Sequence, residues 1–419
     1  MVNPVSAVVV CLFMFVFAWA VYNLPILAAG VKNVRKSKRA GKKHFKNRDL
    51  LTFSIIVPVK NEEKVIGRLL DALSKLDYPA NKKEIVIAED GSTDNTINIC
   101  RRYAEQLGLN IKVLQKPSSN GKSSALNYGI AHAKGDIVGI FDADNVPARD
   151  ALLNVCPFFE DPAVAAVQGR TSSINAEENM LTKFISHEET VWCEVYLRGK
   201  DVLNLFVHLR GSCQFIRRDV LEKLKGFDEN ALSEDMEISA RLVENGYKIR
   251  YAPNVRSWQE SPNSVKSLFR QRTRWFRGTM EVAFKYGKLM RKPSMRNLDA
   301  EVTLLGPFIL IAALLTYLAT FCTFFDPLSF SFLVQFIMRT STLVTTLTIL
   351  LCGLALIYSS KPRKAKSLLW LPFIYFYCSL QAFISFYAVL LILLRRPREW
   401  LKTEKKGVVT GPDVALGAP

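Results

Sequence analysis

The chain has 419 residues, 49% of them hydrophobic, and 56 Lys+Arg against 38 Asp+Glu give a formal net charge of +18. This apolar content excludes disorder as a description of the whole chain. A plain soluble monomer is excluded by four runs without Lys, Arg, Asp or Glu (Met1–Val31, Val302–Phe325, Thr340–Ser360 and Ser367–Leu394), each of 21 residues or more, where a helix needs about 20 to cross a bilayer core.

The first run predicts an N-terminal transmembrane helix over residues 1–31. It lacks the basic start of a signal peptide and is longer than a usual signal core. Residues 32–49 form a basic linker, with Lys32, Arg35, Lys36, Lys38, Arg39, Lys42, Lys43, Lys46 and Arg48 before any acid. Basic segments beside a span stay in the cytoplasm and attract anionic lipid. The cluster therefore reads as a contact with membrane lipids and not with nucleic acid, and it places the following region in the cytoplasm. Eight scattered cysteines form no Cys-x-x-Cys, which argues against a zinc site or a disulfide framework and suits a reducing compartment.

From residue 50 the pattern changes to alternating strands and helices. Strands are expected at Phe53–Val59, Glu84–Ala88, Ile111–Leu114 and Ile137–Phe141. Helices are expected at Glu62–Ser74, Thr93–Leu107 and Ser123–Ala133. This order predicts an α/β fold with a mostly parallel sheet covered by helices. Ligands of such sheets bind beyond the carboxyl ends of the strands, and polar motifs stand there: Pro58–Glu63, Asp90–Asp94 and Asp142-Ala143-Asp144. Any one could be a turn or a helix cap; three at one sheet edge point to a site. Two carboxylates one residue apart at a strand end suit a hard cation, Mg²⁺ or Mn²⁺, shared with substrate phosphates. No GxxxxGK[ST] occurs and no GxGxxG follows the first strand, which disfavours P-loop and dinucleotide chemistry.

Residues 263–299 predict an amphipathic interfacial helix, with Phe269, Trp275, Phe276, Met280, Phe284 and Leu289 among many basic residues. Gln271, Arg274 and Trp275 fall at i, i+3 and i+4, on one helix face. Glu188 and Glu189 read as a solvated helix face, and His132, His187 and His208 carry no assigned role. Residues 300–396 predict about three further transmembrane helices, followed by a tail over 397–419. Three spans would leave the tail outside, whereas Arg395, Arg396, Arg398, Lys402, Lys405 and Lys406 argue for inside. Pro327–Met338 is a candidate for a partial insertion that would reconcile the two.

The ordered set Pro58–Glu63, Asp90–Asp94, Gly121–Asn127, Asp142–Asp144, Ser233–Asp235 and Gln271–Trp275 resembles membrane-embedded family-two glycosyltransferases, which include cellulose, chitin, hyaluronan and poly-N-acetylglucosamine synthases. The resemblance covers roughly residues 50–290. It implies a cytoplasmic GT-A domain over 50–262 and inverting transfer from a nucleotide-diphosphate sugar, usually a UDP-sugar, with Mg²⁺ or Mn²⁺. By position it assigns Pro58, Asn61, Glu62, Asp90, Lys122, Asp142, Gln271 and Arg274 to the donor, with Asp90 beside the base. Asp144 and Asp142 go to the metal. Trp275, Gly211 and Ser212 go to the acceptor, and Asp235 is the general base, with Glu234 as the alternative. Lys60 departs from the aromatic residue that many relatives carry there. The resemblance points first to processive synthesis of a β-linked polysaccharide at the cell membrane, and second to transfer of one sugar to a membrane lipid.

Overall fold

The computed structural model describes residues 4–37, 50–106, 110–287, 289, 294–322, 331–359, 371–398 and 403–410. Helix α1 (Pro4–Ser37) forms because nothing polar interrupts its apolar face for most of its length. Within it, Ala7–Val34 is long and apolar enough to cross a membrane. The helix is seated on the following domain through backbone contact. A Cβ added at Gly30 would stand 1.9 Å from the Val195 carbonyl oxygen, and one at Gly199 would stand 2.0 Å from that of Ile26. Residues 38–49 of the basic linker lie outside the described residues.

The next elements follow the predicted order, each within a few residues of its expected bounds. They are β1 (Phe53–Val59), α2 (Ile66–Ser74), β2 (Lys83–Glu89), α3 (Thr96–Gln106), β3 (Ile111–Gln115), α4 (Lys122–Ala131) and β4 (Ile137–Ile140). β1 pairs in parallel with β2 and β4, and β2 with β3. Period-two alternation sends Phe53, Ile55 and Val57 of β1 into the core under α2 and Ile56 into the core on the other face. A strand buried on both sides must be apolar throughout, which is why this half reads so clearly.

The chain continues through β5 (Val146–Pro147), α5 (Ala151–Val155), β6 (Val164–Ser173), α6 (Met180–Val191) and a π turn at Trp192–Leu197. It then forms α7 (Arg198–Val202), β7 (Gln214–Arg217), α8 (Arg218–Lys223), α9 (Glu234–Glu244) and β8 (Lys248–Gln259). The sheet has eight strands in the order β3-β2-β1-β4-β7-β6-β8-β5. β7 runs antiparallel to both β4 and β6, and β5 antiparallel to β8, while β6 and β8 are parallel. The expected mostly parallel sheet is therefore corrected to a mixed one, parallel only across its first four strands and in the β6–β8 pair. An apolar run looks the same in either direction, so periodicity could not reveal that β7 enters reversed.

Helix α10 (Val265–Tyr286) starts at Ser264, whose hydroxyl accepts the Ser267 amide. It buries Leu268, Met280, Val282, Ala283 and Tyr286. α11 (Met295–Leu304), α12 (Gly306–Cys322), α13 (Phe332–Ser359) and α14 (Leu371–Leu393) complete the helices. α10 packs on α14 through Phe269 and Tyr387, whose ring centroids lie 5.2 Å apart. Among the described residues only α1 passes as a span by itself, while α11 and α12 pass together with a 54° bend between them. The partial insertion expected at Pro327–Met338 falls partly outside the described residues. Residues from Phe332 belong to continuous α13, those before 331 lie outside the described residues, and the bend falls earlier, at Gly306.

Candidate active site

One pocket opens at the carboxyl ends of β1, β2 and β4. It is lined by Pro58, Lys60, Glu62, Asp90, Lys122, Asp142, Asp144, Gly211, Glu234, Asp235, Gln271, Arg274 and Trp275, among others. Motifs scattered over more than 200 residues thus share one wall: those after β1, β2 and β4 and at the starts of α4 and α9 stand at one sheet edge, and the interior of α10 faces them.

Its centre is Lys122, the first residue of α4. The ammonium lies 2.8 Å from Asp142 Oδ1 and 3.0 Å from Glu234 Oε1, and it donates to the Gly211 carbonyl at 3.2 Å. Gly211 has φ +77°, and a Cβ there would come 3.3 Å from both the Lys122 ammonium and Asp235 Oδ2. A side chain at 211 would therefore fill the place where base and cation face each other, and the left-handed backbone favours glycine. Asp142 is set by its own amide, which donates to the Ser212 hydroxyl at 3.0 Å.

Two adjacent acids divide their roles by environment. Burial and the neighbouring Glu234 push Asp235 up to about 6. Burial also acts on Glu234, but Lys122 and Arg274 outweigh it and hold that carboxyl below its usual range. Asp235 uses Oδ1 to accept the Ser233 hydroxyl and the Met236 amide, both at 2.8 Å, while Oδ2 is the oxygen nearest Gly211. Glu234 is held as a member of the ion-pair cluster, whereas Asp235 has the proton affinity of a base working near neutral pH.

Asp144 is buried, and its Oδ2 accepts the Glu260 amide at 2.9 Å and pairs with the Lys405 ammonium at 2.7 Å. Burial raises this carboxyl, but Lys405 and that amide bring it below the ordinary range. The residues fit a divalent cation: the donor set is hard carboxylate oxygen, and Asp144 already carries a positive group at contact distance. Among the described residues no three His, Cys, Asp or Glu side chains cluster as a ready cage. A cation here would complete its shell from the donor's phosphates, as Mg²⁺ and Mn²⁺ sites commonly do.

Other expected residues stand elsewhere. Ser212, expected at the acceptor, is buried behind the wall and holds Asp142. Asn61, expected at the donor, does not line the pocket; it takes φ +54° and accepts the Thr93 amide at 2.7 Å, tying the loop after β1 to the loop after β2. Asp90 lines the pocket, but both its oxygens are engaged by Lys116, Ser119, Asn120 and Gly121 at 3.0–3.2 Å. It organises the 116–121 loop that carries Lys122 to its place. Lys60 reaches the same loop, donating to Ser119 at 2.6 Å.

Glu188 and Glu189, expected on a solvated face, are corrected. Glu189 is buried in the pocket wall and accepts the Ser173 hydroxyl at 2.8 Å. Glu188 pairs with Arg272 at 2.5 Å and accepts the Tyr377 hydroxyl of α14 at 2.8 Å. Arg272 also lies 4.4 Å from the Trp275 ring centroid, so the residue between the motif positions steers the tryptophan. Arg210, Glu260, Thr403 and Lys405 also line the pocket. Lys405 and Lys406 entered the sequence reading only as a topological hint, and nothing local marks Arg210 or Glu260.

The fold is an open mixed sheet of GT-A-like architecture with carboxylates converging at one edge. A mannosyltransferase of Pyrobaculum calidifontis, solved with GDP-Man and Mn²⁺, superimposes over 91% of this chain and 100% of its own, with a TM-score of 0.58 and 22% identity. The model of the family described as glycosyltransferase like family 2 matches residues 51–278, and the chain belongs to that family. It is 34% identical over 275 residues to the probable glycosyltransferase YdaM of Bacillus subtilis, covering 65% of this chain and 66% of the relative. It is 34% identical over 269 residues to the beta-monoglucosyldiacylglycerol synthase of Nostoc, covering 62% and 56%. To the poly-beta-1,6-N-acetyl-D-glucosamine synthase of Staphylococcus epidermidis it is 27% identical, covering 85% of each chain. The first two alignments thus span less than two thirds of those relatives' length.

Proposed function

We propose that the enzyme transfers a sugar, with inversion, from a nucleoside-diphosphate donor, a UDP-sugar by the resemblance, to an acceptor hydroxyl at the membrane. The observation that carries this is the meeting of Asp235, Lys122 and Asp142 around Gly211. The acceptor hydroxyl attacks the anomeric carbon and the bond to the diphosphate breaks on the opposite face. Asp235 takes the hydroxyl proton. Arg274 faces the departing diphosphate with its fixed fork of donors, and Trp275 offers an apolar ring to the acceptor sugar. Mg²⁺ or Mn²⁺, held by Asp144 and Asp142, would neutralise charge on the diphosphate.

The preferred product is a β-linked polysaccharide. Support comes from the alignment with the poly-N-acetylglucosamine synthase, which runs through most of both chains, and from the position of Gln271, Arg274 and Trp275 on the pocket. In this proposal α1 crosses the membrane with the catalytic domain on the cytoplasmic side. α13 and α14, 28 and 23 residues long, add spans, because a rise of about 1.5 Å per residue carries each across a core of ~30 Å. Transfer of one sugar to a diacylglycerol-type lipid is the second proposal, favoured by the higher identity to the Nostoc enzyme. Purified membranes incubated with labelled UDP-sugars and Mn²⁺ separate them: a long polymer supports the first, a chloroform-soluble monoglycosylated lipid the second. No transfer from any nucleotide sugar would refute both.

A further inference from the structure

Two charged side chains on the pocket wall have no part in the transfer step, Glu189 of α6 and Arg210, the residue before Gly211. Glu189 is 6% exposed. Its Oε2 accepts the Ser173 hydroxyl at 2.8 Å, and Ser173 meets Ser261 at 2.6 Å. Among the described residues its Oε1 has no hydrogen-bond partner and the side chain has no ion pair. Arg210 uses Nη1 on the Thr171 hydroxyl at 2.9 Å and on Cys193 Sγ at 3.1 Å, and its Nε and Nη2 have no partner among the described residues. The neighbouring arginines differ: Arg170 and Arg198 share Glu194, and Arg272 holds Glu188.

The anchors of the two groups set their spacing. Thr171 and Ser173 are alternate residues of β6, so their side chains leave one face of the strand, about 6.6 Å apart along the backbone. That is the scale of one sugar ring. Arg210 also adjoins Gly211, beside which Asp235 Oδ2 lies.

A carboxylate accepts hydrogen bonds and a guanidinium donates them. The spare Oε1 therefore calls for a donor on the ligand, and the spare Arg210 N–H groups call for an oxygen. A diacylglycerol cannot supply the first, because its one hydroxyl gives its proton to Asp235 and its esters only accept. Binding it would dry Glu189 without a partner, and a buried polar group left unpaired is costly. A pyranose carries further hydroxyls, or an acetamido N–H, beside the hydroxyl that attacks.

We propose that Glu189 and Arg210 are specificity-determining residues for the acceptor: Glu189 takes a second hydrogen-bond donor of a sugar ring and Arg210 an oxygen of the same ring, so that the acceptor is a sugar and not an acylglycerol with a lone hydroxyl. This rests on the proposed transfer at Asp235 and names the acceptor class for it.

The test uses the full-length protein in detergent with Mn²⁺, a panel of UDP-sugars and three acceptors offered singly: a β-linked glucose trisaccharide, a β-linked N-acetylglucosamine trisaccharide and dioctanoylglycerol. A trisaccharide should be the acceptor used. In Glu189→Gln the carboxamide that keeps its oxygen on Ser173 turns its NH₂ toward the pocket, so a donor meets a donor. Glu189→Gln and Arg210→Lys should each raise the acceptor KM about tenfold or more and leave the donor KM within about twofold. Deoxy acceptors, each lacking one polar group of the terminal ring, give the sharper readout. One of them should lose about tenfold or more in kcat/KM with wild type and only about threefold or less with Glu189→Gln, because group and carboxylate act as a pair. If Glu189→Gln lowers the melting temperature, Glu189→Asp, which withdraws the carboxylate by one methylene, takes its place with the same expected loss. An undiminished deoxy penalty in the Glu189 variant, with all acceptors slowed alike, makes the residue merely structural and overturns the proposal. Preferential transfer to dioctanoylglycerol overturns it while transfer at Asp235 stands. No transfer from any UDP-sugar to any acceptor removes the transfer itself and this proposal with it.

Discussion

Asp142 and Asp144 are one residue apart, and each holds a lysine, but the two lysines belong to different kinds of structure. Lys122 opens α4, is carried by a loop clamped on Asp90, and bridges Asp142 to Glu234 from the middle of the fold. Lys405 comes from an extended segment with no helix or strand of its own, held by Glu260 and a few backbone contacts. The difference teaches how one pair of carboxylates can serve two purposes. A charge locked into secondary structure is held by the fold itself, whereas one on a segment without regular structure depends on the few side-chain and backbone contacts that seat it.

The largest expected effect tests the fixed side. Asp235→Asn should lower kcat by about 10²–10⁴, the usual worth of a positioned base, with the melting temperature preserved. Retained turnover would remove Asp235 from the base role. Next, Lys122→Gln should lose both activity and stability, by about 3 kcal/mol, because Asp142 and Glu234 are left together without their shared cation. Lys405→Gln should cost less than Lys122→Gln, because one buried carboxylate and not two loses its cation and Asp144 keeps the Glu260 amide. Equal losses of stability in thermal unfolding would erase the contrast between the two lysines.

A pH profile sharpens it further. Asp235 must be ionised to accept a proton, and its carboxyl sits at about 6. kcat/KM should therefore fall as pH drops through about 6, approaching tenfold per unit below it, and Asp235→Glu should move that limb. A limb at or below the ordinary carboxylate range would point to Glu234, which Lys122 and Arg274 hold low, and not to Asp235. The smallest effect belongs to the acceptor side. Trp275→Ala should raise the acceptor KM several-fold with a smaller change in kcat, since ring stacking is worth about 1 kcal/mol; an unchanged acceptor KM would place the acceptor elsewhere.

The first four strands and the motifs at their ends were legible because a doubly buried parallel strand leaves little freedom: the run is apolar and the polar residues stand where it stops. The same logic marked Asp142 and Asp144, whereas Lys122 and Asp235 came from the resemblance; all four line the one pocket. It misjudged Glu189, since a helix surface acid looks solvated until another element covers it. It could not show that the Ser212 hydroxyl accepts the Asp142 amide, since a short polar residue beside a glycine does not announce its partner. It made the sheet too parallel, since strand direction depends on how the chain returns.

The sequence by itself determined the apolar span at the start, the βα rhythm that follows and the inventory of charged groups at one sheet edge, because burial and periodicity act on neighbours along the chain. Only the tertiary structure decided which charges meet: Glu234 with Lys122, Glu188 with Arg272, Asp144 with Lys405. Ion pairing depends on distance in space, and a chain folded through eight strands brings its far end to its centre without leaving a local mark.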